Sequence, residues 1–128
     1  MVVDTSALVA ILKREDGWER LAEALASAPA RRISAATLVE AGIVVHAMYG
    51  DHGERELDLL LSRARIETVA FSEEQSEIAR SAFRRFGKGR HPAALNLGDC
   101  YSYALAATLG EPLLFVGNDF TRIDLKPA

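Results

Sequence analysis

The sequence is short of cysteine, of long apolar runs and of net charge. Its 128 residues include one cysteine, Cys100, and carry a formal net charge of −3. A lone cysteine excludes an internal disulfide, no apolar run approaches the ~20 residues of a bilayer-spanning helix, and no secretory pattern opens the chain. So small a net charge neither indicates nor excludes nucleic acid, since the distribution of charge matters more than its sum. We therefore expect a cytoplasmic protein with no membrane segment.

What the sequence does contain is enough apolar residues for a core. Hydrophobic residues make up 49% of the chain, and 128 residues is a common length for one domain. Short apolar segments alternate with stretches whose apolar residues recur at helical spacing. This alternation is typical of a parallel sheet covered by helices on both faces. The sequence therefore predicts a single α/β domain over residues 1–128, built on a central five-stranded parallel sheet.

Caps, breakers and periodicity set the predicted boundaries. Strands are expected at residues 1–3, 32–33, 66–69, 113–116 and 123–125. Helices are expected at residues 7–12, 18–28, 35–49, about 57–61, 73–86 and 99–109, with a turn at 50–53 and a loop at 87–98. Thr5 or Ser6 is expected to cap the first helix. Ser34 should cap the helix at 35–49, and Ser72 should form a capping box with Gln75.

Four carboxylates occupy positions that a parallel sheet brings together. Asp4 follows the first strand, Asp119 follows the strand at 113–116, Asp99 stands at a helix start, and Glu40 lies in an otherwise apolar helix. Open sheets of this kind bind ligands at the carboxyl ends of strands where the strand order reverses. Converging carboxylates repel one another unless a cation lies among them. An all-oxygen set without Cys or His favours Mg²⁺, or Mn²⁺, over zinc.

Each acid also has a simpler explanation when it is considered alone. Asp4, Asp99 and Asp119 fit helix caps, and Glu40 fits a solvated helix position. The four acids together, in their motifs, favour a metal site. The three histidines lack ligand spacing, and we expect surface or turn positions for His46, His52 and His91.

The segments around these acids carry a family pattern. They are VDTS at residues 3–6, ATLVEA at 36–41, LGDCYSYALA at 97–106 and FVGNDF at 115–120. In order and spacing, over the whole chain, they resemble the PIN-domain nucleases, and specifically the VapC toxins of bacterial toxin–antitoxin pairs. The resemblance implies a PIN-like fold and a Mg²⁺-dependent endoribonuclease that blocks growth when free. It also implies a homodimer and a cognate VapB antitoxin that silences the enzyme.

The same resemblance implies roles for individual residues. The family's acidic quartet maps onto Asp4, Glu40, Asp99 and Asp119, all of them catalytic. Asp4, Asp99 and Asp119 are expected to hold the metal, and Glu40 to orient or deprotonate the attacking water. Many relatives carry Thr or Ser where this chain has Gly117, so no hydroxyl comes from that position. Supporting contacts are expected from Thr5, Ser6 and Asn118.

A basic segment precedes the third motif. Between Glu77 and Asp99 there is no acidic residue, while five positive charges are present: Arg80, Arg84, Arg85, Lys88 and Arg90. A basic strip beside an acidic metal centre suits a polyanion whose backbone is held on one side and cut on the other. The alternative is a solvated helix face. With the resemblance, the strip predicts RNA binding by Arg84, Arg85, Lys88 and Arg90.

Two other classes of protein share some features with this sequence. A phosphorelay receiver domain shares a small doubly wound fold with Mg²⁺ and carboxylates. It needs an acidic pair after strand one and a phosphoacceptor Asp after strand three, where this chain has Val69-Ala70-Phe71. A PIN-like module that only binds RNA or protein would normally have lost one or more of the acids, and all four are present. Catalysis is favoured, with the binding module as the alternative.

The first two helices suggest where an antitoxin binds. Residues 7–12 and 18–25 carry more apolar side chains than one core-facing stripe requires. We expect the antitoxin to wrap these helices. An Arg or Lys of the antitoxin would then enter the acidic site in place of the metal.

Overall fold

The computed structural model describes residues 1–128 as four short parallel strands and five helices. In chain order the elements are β1 (Val2–Val3), α1 (Thr5–Lys13), α2 (Trp18–Ser27), β2 (Arg32–Ser34), α3 (Ala35–Arg63), β3 (Glu67–Val69), α4 (Glu73–Phe86), α5 (Leu97–Leu109) and β4 (Leu113–Leu114). None of these helices has both the length and the apolar character that crossing a bilayer requires.

The sheet has the strand order β3-β2-β1-β4. Val2 of β1 pairs with Arg32 of β2 on one side and with Leu113 of β4 on the other. The chain therefore builds outward from β1 through β2 to β3, and then returns to the opposite side of β1 for β4. This reversal opens a crevice at the carboxyl ends of β1 and β4, where open α/β sheets bind ligands. The predicted α/β fold with a parallel sheet is confirmed.

The sheet contains four strands and not the five that were predicted. Residues 123–125 form a bend, in which the Asp124 carboxylate accepts a hydrogen bond from Arg85 at 3.0 Å. The outer edge of β4 is covered by the last residues of the chain instead, since the Leu113 N–H donates to the Lys126 carbonyl oxygen. A single bridge to β4 takes the place of the predicted fifth strand.

Two apolar cores lie on opposite faces of the sheet, because neighbouring strand residues point to opposite sides. Val3 faces the core that the sheet forms with α1, α2 and α3, which contains Leu8, Ile33, Val45 and Leu57. Val2 faces the core under α4 and α5, which contains Leu95, Leu105, Leu113 and Phe86. Helices therefore cover both faces, as the apolar patterns predict.

A kink in α3 marks the turn predicted at residues 50–53. Gly50 has φ 64° and ψ −149°, a conformation that residues with a side chain rarely adopt. Gly53 then approaches the Val45 carbonyl so closely that a Cβ would not fit. The two helices predicted here are therefore the two arms of one kinked element, and the break between them is shorter than expected.

The helix caps differ from the predictions at the two helices that carry Asp4 and Asp99. Asp4, and not Thr5 or Ser6, caps α1 by accepting the Ser6 N–H. Asn96 caps α5, which begins at Leu97, two residues before its predicted start. In both cases the residue that precedes the helix has extended backbone angles and a side chain that can accept from the first turn. Ser34 and Ser72 cap their helices as predicted, but the reciprocal half of the capping box at Ser72 is absent, because the Gln75 side chain donates to the Ala70 carbonyl oxygen instead.

Candidate metal centre

A crevice of about 360 Å³ opens at the carboxyl ends of β1 and β4. Its wall contains the four predicted acids and a fifth that the sequence did not single out, namely Asp4, Glu15, Glu40, Asp99 and Asp119. The other polar wall residues are Thr5, Ser6 and Asn96. The fold therefore brings together side chains that are separated by more than a hundred positions in the sequence.

Asp4 is the most enclosed of these acids, with 4% of its surface exposed. Its Oδ2 accepts hydrogen bonds from the Ser6 N–H at 3.1 Å and the Ser6 hydroxyl at 2.7 Å, and its Oδ1 accepts from the Ser102 hydroxyl at 2.5 Å. The Ser6 oxygen in turn accepts the Val116 N–H at 3.0 Å, which ties the end of β1 to the segment after β4. These donors compensate for the burial of a carboxylate that would otherwise be costly.

Glu40 enters the crevice from α3, and its carboxylate lies in the space beside Gly98, which has no side chain. The Thr5 hydroxyl donates to Glu40 Oε1 at 2.5 Å. The carboxylate lies against Gly98 so closely that a Cβ at position 98 would overlap it. Gly98 is needed here for the space that it leaves.

Asp99 stands in the first turn of α5 and is both a capping residue and a crevice acid. Its Oδ2 accepts the Asn96 N–H at 3.0 Å, while Asn96 Oδ1 accepts the Asp99 N–H at 2.9 Å. Burial, together with the negative charges of Asp4 and Asp119, raises the pKa of the Asp99 carboxyl from 3.8 to about 7, against the lowering effect of the Asn96 hydrogen bond. A carboxyl crowded in this way gains from a nearby cation.

Asp119 lies in the exposed turn that follows β4 and lines the crevice, where its negative charge contributes to the raised pKa of Asp99. Gly117, two residues earlier, has φ 100°, a conformation that strongly favours glycine over a residue with a hydroxyl. Asn118 is exposed and is not part of the crevice wall, and its carbonyl oxygen accepts the Thr121 hydroxyl at 2.8 Å. The supporting role of the Asn118 amide stays a prediction.

Four polar residues at or behind the crevice wall were not identified from the sequence: Asn96, Glu15, Ser102 and Thr37. Glu15, just after α1, lines the crevice and pairs with Lys13 at 3.4 Å. Ser102 donates to Asp4, and Thr37 lies 3.3 Å from Ser102. A signal for the two hydroxyl residues was present, because Ser102 lies three positions after Asp99 and Thr37 lies three positions before Glu40. That spacing puts each hydroxyl on the same helix face as a predicted acid.

The predicted RNA-binding residues do not form one continuous surface. Arg84 lines a groove between α4 and α5, and Arg90 stacks on an aromatic ring of α4 at 6.0 Å. Arg85 pairs instead with Asp124 at 3.0 Å, on the side of the C-terminal segment. Lys88 is exposed in the loop that leads to α5. Three of the four cations are thus available for a polyanion, and the charge of Arg85 is already partly compensated.

The histidines occupy the surface and turn positions that were expected. His52 is exposed, and His91 lies in the turn after α4. His46 is also exposed, but the kink in α3 brings two acids close to it: its Nδ1 lies 3.0 Å from Glu54 and 3.8 Å from Asp51. These three side chains are near enough to share a cation, although their own hydrogen bonding explains the arrangement without one.

Two groups of apolar side chains remain accessible at the surface. Val9 and Leu12 of α1 and Leu21 of α2 are half-buried and pack against the core that contains Val3, on the helices expected to receive an antitoxin. On the other side of the crevice, Val39, Ile43 and Leu97 are 63%, 66% and 67% exposed and line one shared depression. We call the latter three residues the apolar patch.

A parallel α/β sheet with a carboxylate-lined crevice at its switch point defines a class of protein suited to binding a divalent cation. The model of the PIN domain family matches residues 1–126. The chain is 52% identical over 125 residues to a Ribonuclease VapC of Mycolicibacterium smegmatis, covering 98% of this chain and 97% of that relative. It is 49% identical over 125 residues to Ribonuclease VapC30 of Mycobacterium tuberculosis, covering 98% and 95%. The chain therefore belongs to the PIN-domain family and, within it, to the VapC ribonucleases.

A solved structure supports the fold independently. The crystal structure of VapBC2 from Rickettsia felis, bound to a DNA fragment from their promoter, aligns with a TM-score of 0.74 at 24% identity. The alignment covers 99% of this chain and 96% of that chain. The shared fold thus extends over the whole chain.

Proposed function

We propose that this protein is a Mg²⁺-dependent endoribonuclease and the toxin of a toxin–antitoxin pair. The observation that carries the proposal is the convergence of Asp4, Glu40, Asp99 and Asp119 in one crevice. Its VapC ribonuclease relatives supply the reaction class, which is hydrolysis of RNA phosphodiester bonds. We take residues 1–128 as one domain and the cytoplasm as its location, since that is where the RNA substrate would be met.

The crevice residues fit a hard divalent cation. The wall offers carboxylate, hydroxyl and amide oxygens and no sulfur or imidazole, which is the donor set of Mg²⁺ or Mn²⁺. Asp4, Asp99 and Asp119 would hold the ion. When bound, such an ion neutralises phosphate charge and lowers the pKa of a coordinated water. The raised pKa of Asp99 supports the assignment, because a cation would relieve the crowding of like charges.

Glu40 would orient or deprotonate the attacking water. Its Oε1 accepts from the Thr5 hydroxyl, which fixes the carboxylate and leaves Oε2 without a protein donor. A general base acts within about 2.6–3.2 Å of the group whose proton it takes, and a carboxylate that is fixed on one oxygen can meet that requirement with the other. Ser6 would support the site by holding Asp4 and the segment after β4 together.

RNA would approach from the loop that joins α4 and α5. Arg84, Lys88 and Arg90 are exposed near this loop and have no acidic partner, so they can contact phosphates. We retain Arg85 as a weaker contributor because Asp124 already pairs with it. The loop ends at Asn96, which caps α5 and lines the crevice, so the basic residues and the acids are joined by one short segment.

A cognate VapB-type antitoxin would silence the enzyme. The similar Rickettsia felis structure is of VapBC2 bound to a DNA fragment from their promoter. On this chain, the half-buried apolar residues of α1 and α2 offer a docking surface that reaches the crevice through Glu15. An Arg or Lys of the antitoxin could then form charge-assisted hydrogen bonds with the crevice acids.

A second copy of the chain would cover the apolar patch. Val39, Ile43 and Leu97 are large, highly exposed and adjacent, and a contiguous patch of this kind is costly to leave in water. The patch lies beside Glu40 and Gly98, so a homodimer formed there would bring the two crevices onto neighbouring surfaces.

The proposal is tested by inducing the chain without its antitoxin and sequencing RNA 5′ ends after a short interval. Defined new ends, together with growth arrest that is absent for Asp99→Asn and relieved by the antitoxin, would support it. If cells tolerate high levels of the wild-type protein without any new RNA ends, the PIN-like binding module takes its place.

A further inference from the structure

A chain of buried hydroxyl groups ends on Asp4. The Ser102 Oγ lies 2.5 Å from Asp4 Oδ1, and the Thr37 Oγ1 lies 3.3 Å from the Ser102 Oγ. Ser102 and Thr37 are both 0% exposed. An ionised carboxylate can only accept, so the Ser102 proton points to Asp4, and the Ser102 oxygen accepts from Thr37. The hydrogen bonds therefore run in one direction, from the core to the crevice.

The same hydrogen bonds limit how Asp4 can bind a ligand. Each carboxylate oxygen has two acceptor positions. The Ser6 N–H and the Ser6 hydroxyl occupy both positions on Oδ2, and the Ser102 hydroxyl occupies one on Oδ1. Asp4 thus retains a single acceptor position, and it is on Oδ1.

We propose that Ser102, with Thr37 behind it, is a positioning residue that presents this one acceptor position of Asp4 to the divalent cation. The inference rests on the proposed metal site. Ser102 fixes the rotation of the carboxylate, and Thr37 polarises the Ser102 hydroxyl, because successive hydrogen bonds in a dry environment strengthen one another. Groups that hold a metal ligand in place commonly raise metal affinity by about 10- to 100-fold.

The test is a titration with Mn²⁺ followed by electron paramagnetic resonance, which reads metal affinity without any RNA. Ser102→Ala should weaken Mn²⁺ binding by about tenfold or more. Thr37→Val, which keeps the shape of the side chain, should weaken binding less than Ser102→Ala does.

A matched control is available on the same helix. The Thr108 hydroxyl donates to the Ala104 carbonyl oxygen of α5 at 2.7 Å, away from the crevice. Thr108→Ala should therefore leave Mn²⁺ affinity at the wild-type value. A loss equal to that of Ser102→Ala would mean that any hydroxyl on α5 has this effect, and the assignment would be wrong.

Other outcomes separate this inference from the metal site itself. If the wild-type protein binds Mn²⁺ and folded Ser102→Ala binds it equally well, the positioning role is overturned and the metal site stands. If Ser102→Ala does not fold, unchanged affinity in Thr37→Val overturns the role. A wild-type protein that binds no Mn²⁺ overturns both.

Discussion

The Glu40 carboxylate lies directly against the α-carbon of Gly98, in a space that any side chain at position 98 would fill. The contact joins α3 to the first turn of α5, one residue before Asp99. It explains a glycine in a helix, where glycine lowers stability by about 1 kcal/mol relative to alanine. Glycine at position 98 lowers helix stability, but it leaves the space in which Glu40 of α3 lies beside the helix that carries Asp99.

Gly98→Ala should therefore separate stability from activity. Overpacking in a tight site typically costs about 1–3 kcal/mol, but here the flexible Glu40 side chain can rotate away and the better helix former offsets part of the cost. We expect an unfolding temperature within a few degrees of wild type and a loss of RNA cleavage of at least about tenfold. Gly42→Ala is the control, since a Cβ there would meet only Glu54 at an ordinary 3.6 Å. Full activity in Gly98→Ala would show that the position of Glu40 does not matter.

Asp99→Asn should stabilise the metal-free protein at neutral and higher pH. The folded-state pKa of Asp99 is raised from 3.8 to about 7, so its contribution to stability is fully present below about pH 3.8 and is lost as the pH rises through about 7. Asparagine carries no charge to lose and can still accept the Asn96 N–H. We expect Asp99→Asn to gain about 1–2 kcal/mol of stability above pH 7. This total is less than 1.36 kcal/mol for every unit of the pKa shift, because the crevice is open to water and the solvent screens the charges.

Denaturant unfolding of both proteins between pH 4 and 8, without metal and with excess Mg²⁺, checks this expectation. The advantage of Asp99→Asn should grow with pH in the metal-free series. Mg²⁺ should reverse it, because the cation stabilises the wild-type carboxylates. Parallel curves for the two proteins at every pH would contradict the crowding of Asp99 by its acidic neighbours.

The basic residues should be distinguishable by salt. Replacing Arg84, Lys88 and Arg90 with Gln should weaken RNA binding and flatten its dependence on salt by up to ~0.7 per lost phosphate contact. Arg85→Gln should have a smaller effect on the slope, since Asp124 already pairs with that charge. Arg55→Gln, an exposed change on α3, serves as the control. An unchanged slope in the triple variant would assign these residues to a solvated helix face.

The apolar patch predicts the oligomeric state. Ile43→Glu places a charge in the middle of the patch and should convert a dimer into a monomer, as measured by light scattering after size-exclusion chromatography. Leu59→Glu is a fair comparison, because Leu59 is also on α3 and is 43% exposed but does not belong to the patch. A wild-type monomer, or a dimer that survives Ile43→Glu, would move the interface elsewhere.

The sequence predicts the sheet edge well because short apolar strands and the acids that follow them are local signals. Asp4 follows β1 directly and Asp119 lies in the turn after β4, and parallel pairing of the two strands brings them to one crevice. The fifth strand was wrong because residues 123–125 form a bend, in which Asp124 accepts hydrogen bonds from Arg85 and Tyr103, two residues that are distant in the sequence. No local pattern contains that information.

The hydroxyl groups behind the acids were missed although their spacing from Asp99 and Glu40 was a signal. Ser102 and Thr37 stand in helices whose other residues are mostly apolar, and each looks like a minor polar interruption. Their meaning comes from tertiary packing, which sets α5 and α3 beside β1 so that both hydroxyls meet near Asp4. Glu15 was passed over because it follows a helix end, where a charged residue is common on any surface.

The most direct test of the metal centre is the anomalous diffraction of a crystal soaked in Mn²⁺. We expect a peak in the crevice between β1 and β4, within coordination distance of Asp4 Oδ1 and of Asp99, and its loss in Asp4→Asn. A peak only at the exposed cluster of His46, Asp51 and Glu54, or no peak at millimolar Mn²⁺, would contradict a metal centre built from the four acids.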